Sequence, residues 1–139
     1  MRSGMTQLEL IVVMVVGVTL SALGVPRLVH LRDASSVRAA MTDLGAAFAT
    51  ARQAAVTRRT LVAVVFDTAA GVIRVSASGE TILRRSLRAS YSVSIGANRD
   101  SAVYDARGLG FGVTNLSLTV RRGSFVDTLT MSRLGRTVW

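Results

Sequence analysis

The sequence predicts an α+β fold, a long N-terminal helix packed on antiparallel β-sheet, and three observations lead there. An uncharged run from Leu10 to Val25 lies near the start of the chain, apolar residues then recur at helical spacing as far as Arg58, and from Thr60 onward they alternate with the period of strands. The helical pattern comes once and the strand patterns follow together, the order of a segregated α+β arrangement rather than of alternating βαβ units.

The first half of the helix has the composition of a membrane span. Leu8 to Leu28 nearly supplies the roughly 20 apolar residues that cross about 30 Å of hydrocarbon, with Glu9 and Arg27 at its two edges. Glu9 is the costly residue: an ionised carboxylate is disfavoured by about 2.5 to 3.5 kcal/mol at a helix centre, and by less near the interface. A secretory signal peptide would use Arg2 as its charged start and Ala22-Leu23-Gly24 as its cleavage site, but an acid inside the apolar core argues against it. A plain anchor has no need of Glu9.

The second half is amphipathic. Val37, Met41, Leu44, Phe48, Ala51 and Ala55 fall on one stripe, with Arg38, Thr42, Arg52 and Gln53 elsewhere, so the stripe is expected to hold the β domain to the helix. One helix from about Thr6 to Arg58 would span about 80 Å, with a bend permitted by Gly24 and Pro26.

Strand patterns occupy the remainder. Leu61 to Phe66, Val72 to Ala77 and Thr81 to Leu87 are separated by turn chemistry at Asp67 to Gly71 and at Ser78-Gly79. Tyr91, Val93 and Ile95 alternate with serines, and Leu116, Leu118 and Val120 alternate with polar residues before Arg122-Gly123-Ser124 turns into Phe125 to Ser132. One sheet face is therefore apolar and expected under the helix stripe.

Composition narrows the function. All 17 basic residues are arginine against 8 acids, a net charge of +9, so nucleic acid, anionic lipid and acidic partner subunits are the candidate partners. Arg133, Arg121, Arg122, Arg84, Arg85 and Arg88 form one patch if the hairpins gather them. There is no cysteine, hence no disulfide or thiolate chemistry. The single histidine, His30, sits near the membrane end of the helix, and the remaining acids show no ligand spacing, so no metal, cofactor or enzymatic activity is expected. Gly108, Gly110 and Gly112 lack dinucleotide-loop spacing and read as turn and bulge glycines, and Asn115-Leu116-Ser117 reads as a chance sequon.

Gly4-Met5-Thr6-Gln7-Leu8-Glu9 followed by an apolar helix resembles the class III leader of type IV pilins and pseudopilins. The resemblance implies a prepilin peptidase cut after Gly4, N-methylation of Met5, Glu9 as the fifth mature residue and Pro26 as the proline of the family's helix. Met5 stands where Phe is usual and Gln7 where an apolar residue is usual. In the family, the carboxylate of an incoming subunit neutralises its neighbour's N-terminal amine within the membrane, and an opposite charge removes much of the desolvation cost. Glu9 and Pro26 are thus the expected assembly residues.

Three further segments resemble the minor pseudopilins of type II secretion, H type, and the related minor pilin FimT. They are Ala51-Arg52-Gln53-Ala54-Ala55, Val103-Tyr104-Asp105-Ala106-Arg107-Gly108-Leu109-Gly110 and the Ser132-Arg133-Leu134-Gly135-Arg136 turn. The implied organisation is a leader at 1–4, a transmembrane and assembly helix at 5–29, an amphipathic helix half at 30–59 and a periplasmic β domain at 60–139. The implied partners are other major and minor pseudopilins, prepilin peptidase and an inner-membrane assembly platform, for a single-pass protein of the bacterial inner membrane. The alternative is a FimT-like minor pilin that binds DNA during uptake, with Arg133, Arg136, Arg121 and Arg122 as candidate phosphate contacts. FimT-like turns carry Gly-Arg-x-Arg; here Val138 occupies the place of the second arginine.

Overall fold

The computed structural model describes residues 6–112 and 115–139, apart from the side chains of 23–26. Helix α1 runs Gln7–Arg58, and the chain divides into two compact units, 1–32 and 33–139. In the first unit the side chains of Leu8, Leu10, Ile11, Val12, Val13 and Met14 are all exposed, and the helix is long and apolar enough to serve as a single membrane anchor. Its polar side chains do not waste hydrogen-bonding capacity in that setting: the hydroxyls of Thr19 and Ser21 donate back to the carbonyls of Val15 and Gly17. Gly4 and Met5 lie outside the described residues, as does the side chain of Pro26.

The second unit begins with the amphipathic part of α1 and adds, among the described residues, nine strands and a short helix. These are β1 Val62–Asp67, β2 Val72–Ala77, β3 Glu80–Ser86, α2 Leu87–Tyr91, β4 Ser94–Ala97, β5 Ser101–Tyr104, β6 Gly110–Phe111, β7 Leu116–Arg122, β8 Phe125–Met131 and β9 Thr137–Val138. All pairings are antiparallel, but the strands form two sheets where sequence patterning suggested one. A five-stranded sheet has the order β3-β2-β1-β5-β6 and a four-stranded sheet the order β4-β7-β8-β9. Alternation says which face of a strand is apolar and nothing about which strand it pairs with, so the division is a tertiary outcome.

Turn chemistry explains the connections. Ser78 and Gly79 both have positive φ, the requirement of the primed two-residue hairpin that joins β2 to β3. Helix α1 stops because Arg59 enters the left-handed region and the Thr60 N–H bonds back to the Ala55 carbonyl at 3.3 Å, a Schellman closure made without glycine. Leu87, which the sequence pattern assigns to the end of a strand, instead opens α2. Ser86 caps that helix by accepting from the Ala89 N–H, and the Gly71 carbonyl receives the N–H groups of Leu87 and Arg88.

The helix stripe is the centre of the core. Val37, Met41, Leu44, Phe48, Ala51 and Ala55 are buried with Ala40 and Ala47, against Val62, Val64 and Phe66 of β1, Ile73 and Val75 of β2, and Leu116, Leu118 and Leu129 of the other sheet. Small residues at 40, 47, 51 and 55 let the strands approach the helix closely. Larger ones at 41, 44 and 48 fill the layer between.

Candidate functional site

At the membrane end, the first described turn is a capping box. The Thr6 N–H and hydroxyl donate to Glu9 Oε2 at 3.0 and 3.1 Å, and the Glu9 N–H returns a bond to Thr6 Oγ1 at 3.3 Å. This satisfies orphan helix donors reciprocally and holds the carboxylate at the first turn of the apolar segment. The Thr-x-x-Glu spacing is the sequence signal of such a helix start.

The candidate arginines separate. Arg122 lies within the core of the domain's tertiary wiring: its Nε donates to Asp33 Oδ1 at 2.8 Å, and its Nη1 donates to Ser36 Oγ at 2.8 Å and to the Tyr91 carbonyl. With side chains only 18% and 16% exposed, this ion pair ties α1, α2 and the β7–β8 hairpin together. Gly123, at the first position of the hairpin loop, completes the contact, because a Cβ there would sit 2.5 Å from Asp33 Oδ2. Arg121 and Arg88 line the same shallow depression as Arg122. Arg84 instead faces Arg74 across the β2–β3 ladder, while Arg85 faces Ile73 in the next register position, on the opposite side of the sheet. Arg88, Arg121 and Arg122 are thus grouped, while Arg84 and Arg85 lie on opposite sides of the ladder, so the arginines do not all share one face.

Arg136 meets a residue whose charge the sequence does not single out, Arg52. Both line a groove of about 520 Å³, with Arg52, Gln53 and Val56 of α1 on one side, Gly135, Arg136 and Thr137 on the other, and Phe48 and Tyr104 below. Arg133, also in the turn, is exposed, and its backbone carbonyl accepts from the Gly110 N–H at 3.2 Å.

Three sequence segments build this groove. The Asp105 carboxylate accepts from the N–H groups of Arg107 and Leu109, both at 2.9 Å, which folds the loop after β5. The Leu109 N–H, followed by the Arg107 bonds and charge, holds Asp105 below the usual carboxylate range. The turn after β8 closes by Gly135 N–H to Ser132 O and Ser132 N–H to Arg136 O, each 2.9 Å. Gly135 has φ +71°, and a Cβ on it would lie 2.8 Å from the Gly108 carbonyl and 2.9 Å from the Tyr104 ring. The two loops therefore interlock through glycine. Tyr104 donates its hydroxyl to the Gly135 carbonyl at 3.4 Å, and burial pushes its pKa up to about 12, with the Arg52 charge opposing the shift. Tyr104 is consequently a neutral donor across the physiological range.

Comparison with protein-family models finds a match over residues 40–135 to the family described as Type II transport protein GspH. The chain belongs to the GspH family. The matched region of this GspH-family chain contains the helix stripe from Met41 onward, strands β1 to β8 and most of the groove up to Gly135, and it begins well after the Thr6–Glu9 cap. Among solved structures, the type IV minor pilin FimU of Pseudomonas aeruginosa is similar in two crystal forms. One gives a TM-score of 0.63 at 16% identity, covering 75% of this chain and 87% of that one. The other gives 0.60 at 16% identity, covering 73% and 90%. At that identity the likeness concerns the fold, which is type IV pilin-like. Comparison with curated proteins found no match.

Proposed function

We propose that this GspH-family protein is a minor pseudopilin of type II protein secretion, cut by prepilin peptidase after Gly4, methylated at Met5 and assembled into a short periplasmic pseudopilus. The observation that carries the reading is the pairing of a GspH-family domain with an exposed apolar helix that holds one carboxylate at its first turn. Thr6 keeps the Glu9 carboxylate hydrogen-bonded while no cation is present, and a neighbouring subunit's N-terminal amine would take it over as an ion pair. In this reading the chain is an assembly component with no catalytic role. Movement comes from a separate ATPase, and folded substrates leave through an outer-membrane channel.

The test is the mass of the N-terminal peptide after expression with a prepilin peptidase. A methylated peptide starting at Met5 supports the reading, whereas a start at Met1 or near Val25 refutes it. Replacing Glu9 with Leu should leave membrane insertion intact and impair incorporation into the fibre; a fully incorporated, secretion-competent E9L protein would remove the docking role.

A second reading, a minor pilin that binds DNA during uptake, is favoured by the likeness to a type IV minor pilin and by the exposure of Arg133 and Arg136 in the turn. Arg121 is exposed as well, but Arg122 is engaged by Asp33. Titrating duplex DNA at several salt concentrations separates the readings, because phosphate contacts give log K a linear dependence on log salt. A steep slope that flattens on replacing Arg133 and Arg136 supports DNA uptake; weak binding indifferent to those residues supports secretion.

A further inference from the structure

The groove between α1 and the turn after β8 combines features that bulk surface charge does not explain. Arg52 and Arg136 are exposed on its two sides, and among the described residues neither guanidinium makes an ion pair or a side-chain hydrogen bond. The floor between them is apolar, with buried Phe48 and Tyr104, and Val56 stands 48% exposed at the rim. Two exposed guanidiniums lining one groove with the half-exposed Val56 complement a carboxylate carried beside a hydrophobic side chain, with Arg as a bidentate partner and the apolar surface as the anchor.

The charge of the chain narrows the occupant. The chain is strongly basic, net +9 over its full length, so a second copy would bring like charge to like charge and homotypic stacking through this surface is disfavoured. Single-stranded nucleic acid fits the arginines and not the floor, because the Phe48 and Tyr104 rings are each 1% exposed and offer no stacking platform. We propose that the groove seats an acidic, apolar-anchored segment of a different subunit, its carboxylate held by Arg52 and Arg136 and its hydrophobic side chain against the half-exposed Val56. This rests on the fibre reading above and specifies the neighbour's chemistry.

Two measurements on the full chain test it. The first uses a fluorescently labelled peptide of alternating leucine and glutamate, titrated against the detergent-solubilised protein. Binding should weaken about tenfold or more in the Arg52→Gln/Arg136→Gln protein, since charge-assisted hydrogen bonds from two guanidiniums supply a substantial fraction of such an affinity. It should be unchanged in Arg74→Gln/Arg84→Gln, which removes the same charge from the sheet face. Equal weakening in both proteins, undiminished binding in both, or tighter binding of duplex DNA at the same arginines would overturn the proposal. The second places a photo-crosslinking residue at position 53 in cells that make the whole fibre. An adduct with an acidic segment of another pilin-like subunit, abolished in the Arg52→Gln/Arg136→Gln background, supports the proposal. An adduct with a second copy of this chain, or none from chains present in the fibre, refutes the groove and leaves the fibre reading standing. Peptide binding by a chain absent from any fibre refutes the fibre reading and retains the groove's ligand class.

Discussion

Truncating Phe48 is the sharpest probe of how the helix holds the β domain. Its side chain is 1% exposed, with the Phe66 ring centroid at 5.9 Å and the Tyr104 ring edge-on at 6.5 Å. Phe→Ala changes in cores cost about 3 to 5 kcal/mol, from the transfer energy forfeited and the cavity left behind, and each aromatic pair adds about 0.5 to 1.5 kcal/mol beyond area. Phe48 also borders the groove, so water can reach part of the void, and the lower end, about 3 kcal/mol, is expected. A domain of this size has a total stability of about 5 to 15 kcal/mol, so the variant folds but with its margin largely removed. Urea unfolding of residues 30–139, which contain every buried hydrophobic residue among those described, measures this through circular dichroism and the single tryptophan, Trp139. The midpoint should fall by about 1 to 3 M, given a typical urea slope of about 1 to 3 kcal/mol/M. Phe111→Ala is the control: its side chain is 59% exposed, and a change within about 0.5 kcal/mol is expected. A Phe48→Ala effect below about 1 kcal/mol, or one equal to the control, would refute the packing account.

Other expectations concern the loops and the ion pair. Gly135→Ala should destabilise by about 2 kcal/mol, combining a left-handed backbone with a clash against the Gly108 carbonyl; amide spectra should show the changes concentrated in residues 105–110 and 132–137. Asp33→Asn should cost about 1 to 3 kcal/mol by leaving the half-buried Arg122 guanidinium without its charge partner, with urea unfolding as the readout and a neutral result refuting the tie. Stability should also fall at both pH extremes. Folded Tyr104 keeps its proton to about pH 12 while an unfolded tyrosine loses it near pH 10, so the alkaline decline runs through that window and should flatten in Tyr104→Phe. Asp105 titrates below its unfolded value, so its contribution is present above about pH 4 and is lost as pH falls through the folded value. Unfolding midpoints measured in Asp105→Asn should lack that acid arm.

What the sequence determined by itself is the part of the fold that depends on local period. Apolar spacing at 37, 41, 44, 48, 51 and 55 names the buried stripe, and all six residues are buried, because a helix presents that spacing to one side whatever it packs against. Alternation at 116, 118 and 120 names the inward face of β7 for the same reason. The membrane-compatible run and its lone acid are equally legible, and Thr-x-x-Glu spacing carries the Thr6 cap as well, although reading Glu9 only as a partner for another chain leaves that local role out. Tertiary structure decided the rest. Strand alternation does not name strand partners, so the separation into two sheets emerges only when long-range pairing is in place. Charge has no period at all: Arg122 is linked to Asp33, 89 residues away, and Arg52 and Arg136 line one groove because two interlocked glycine loops carry the turn to the helix. Side chains distant in sequence acquire a common function only through contacts that close long loops, and those contacts are the content of the fold rather than of any segment within it.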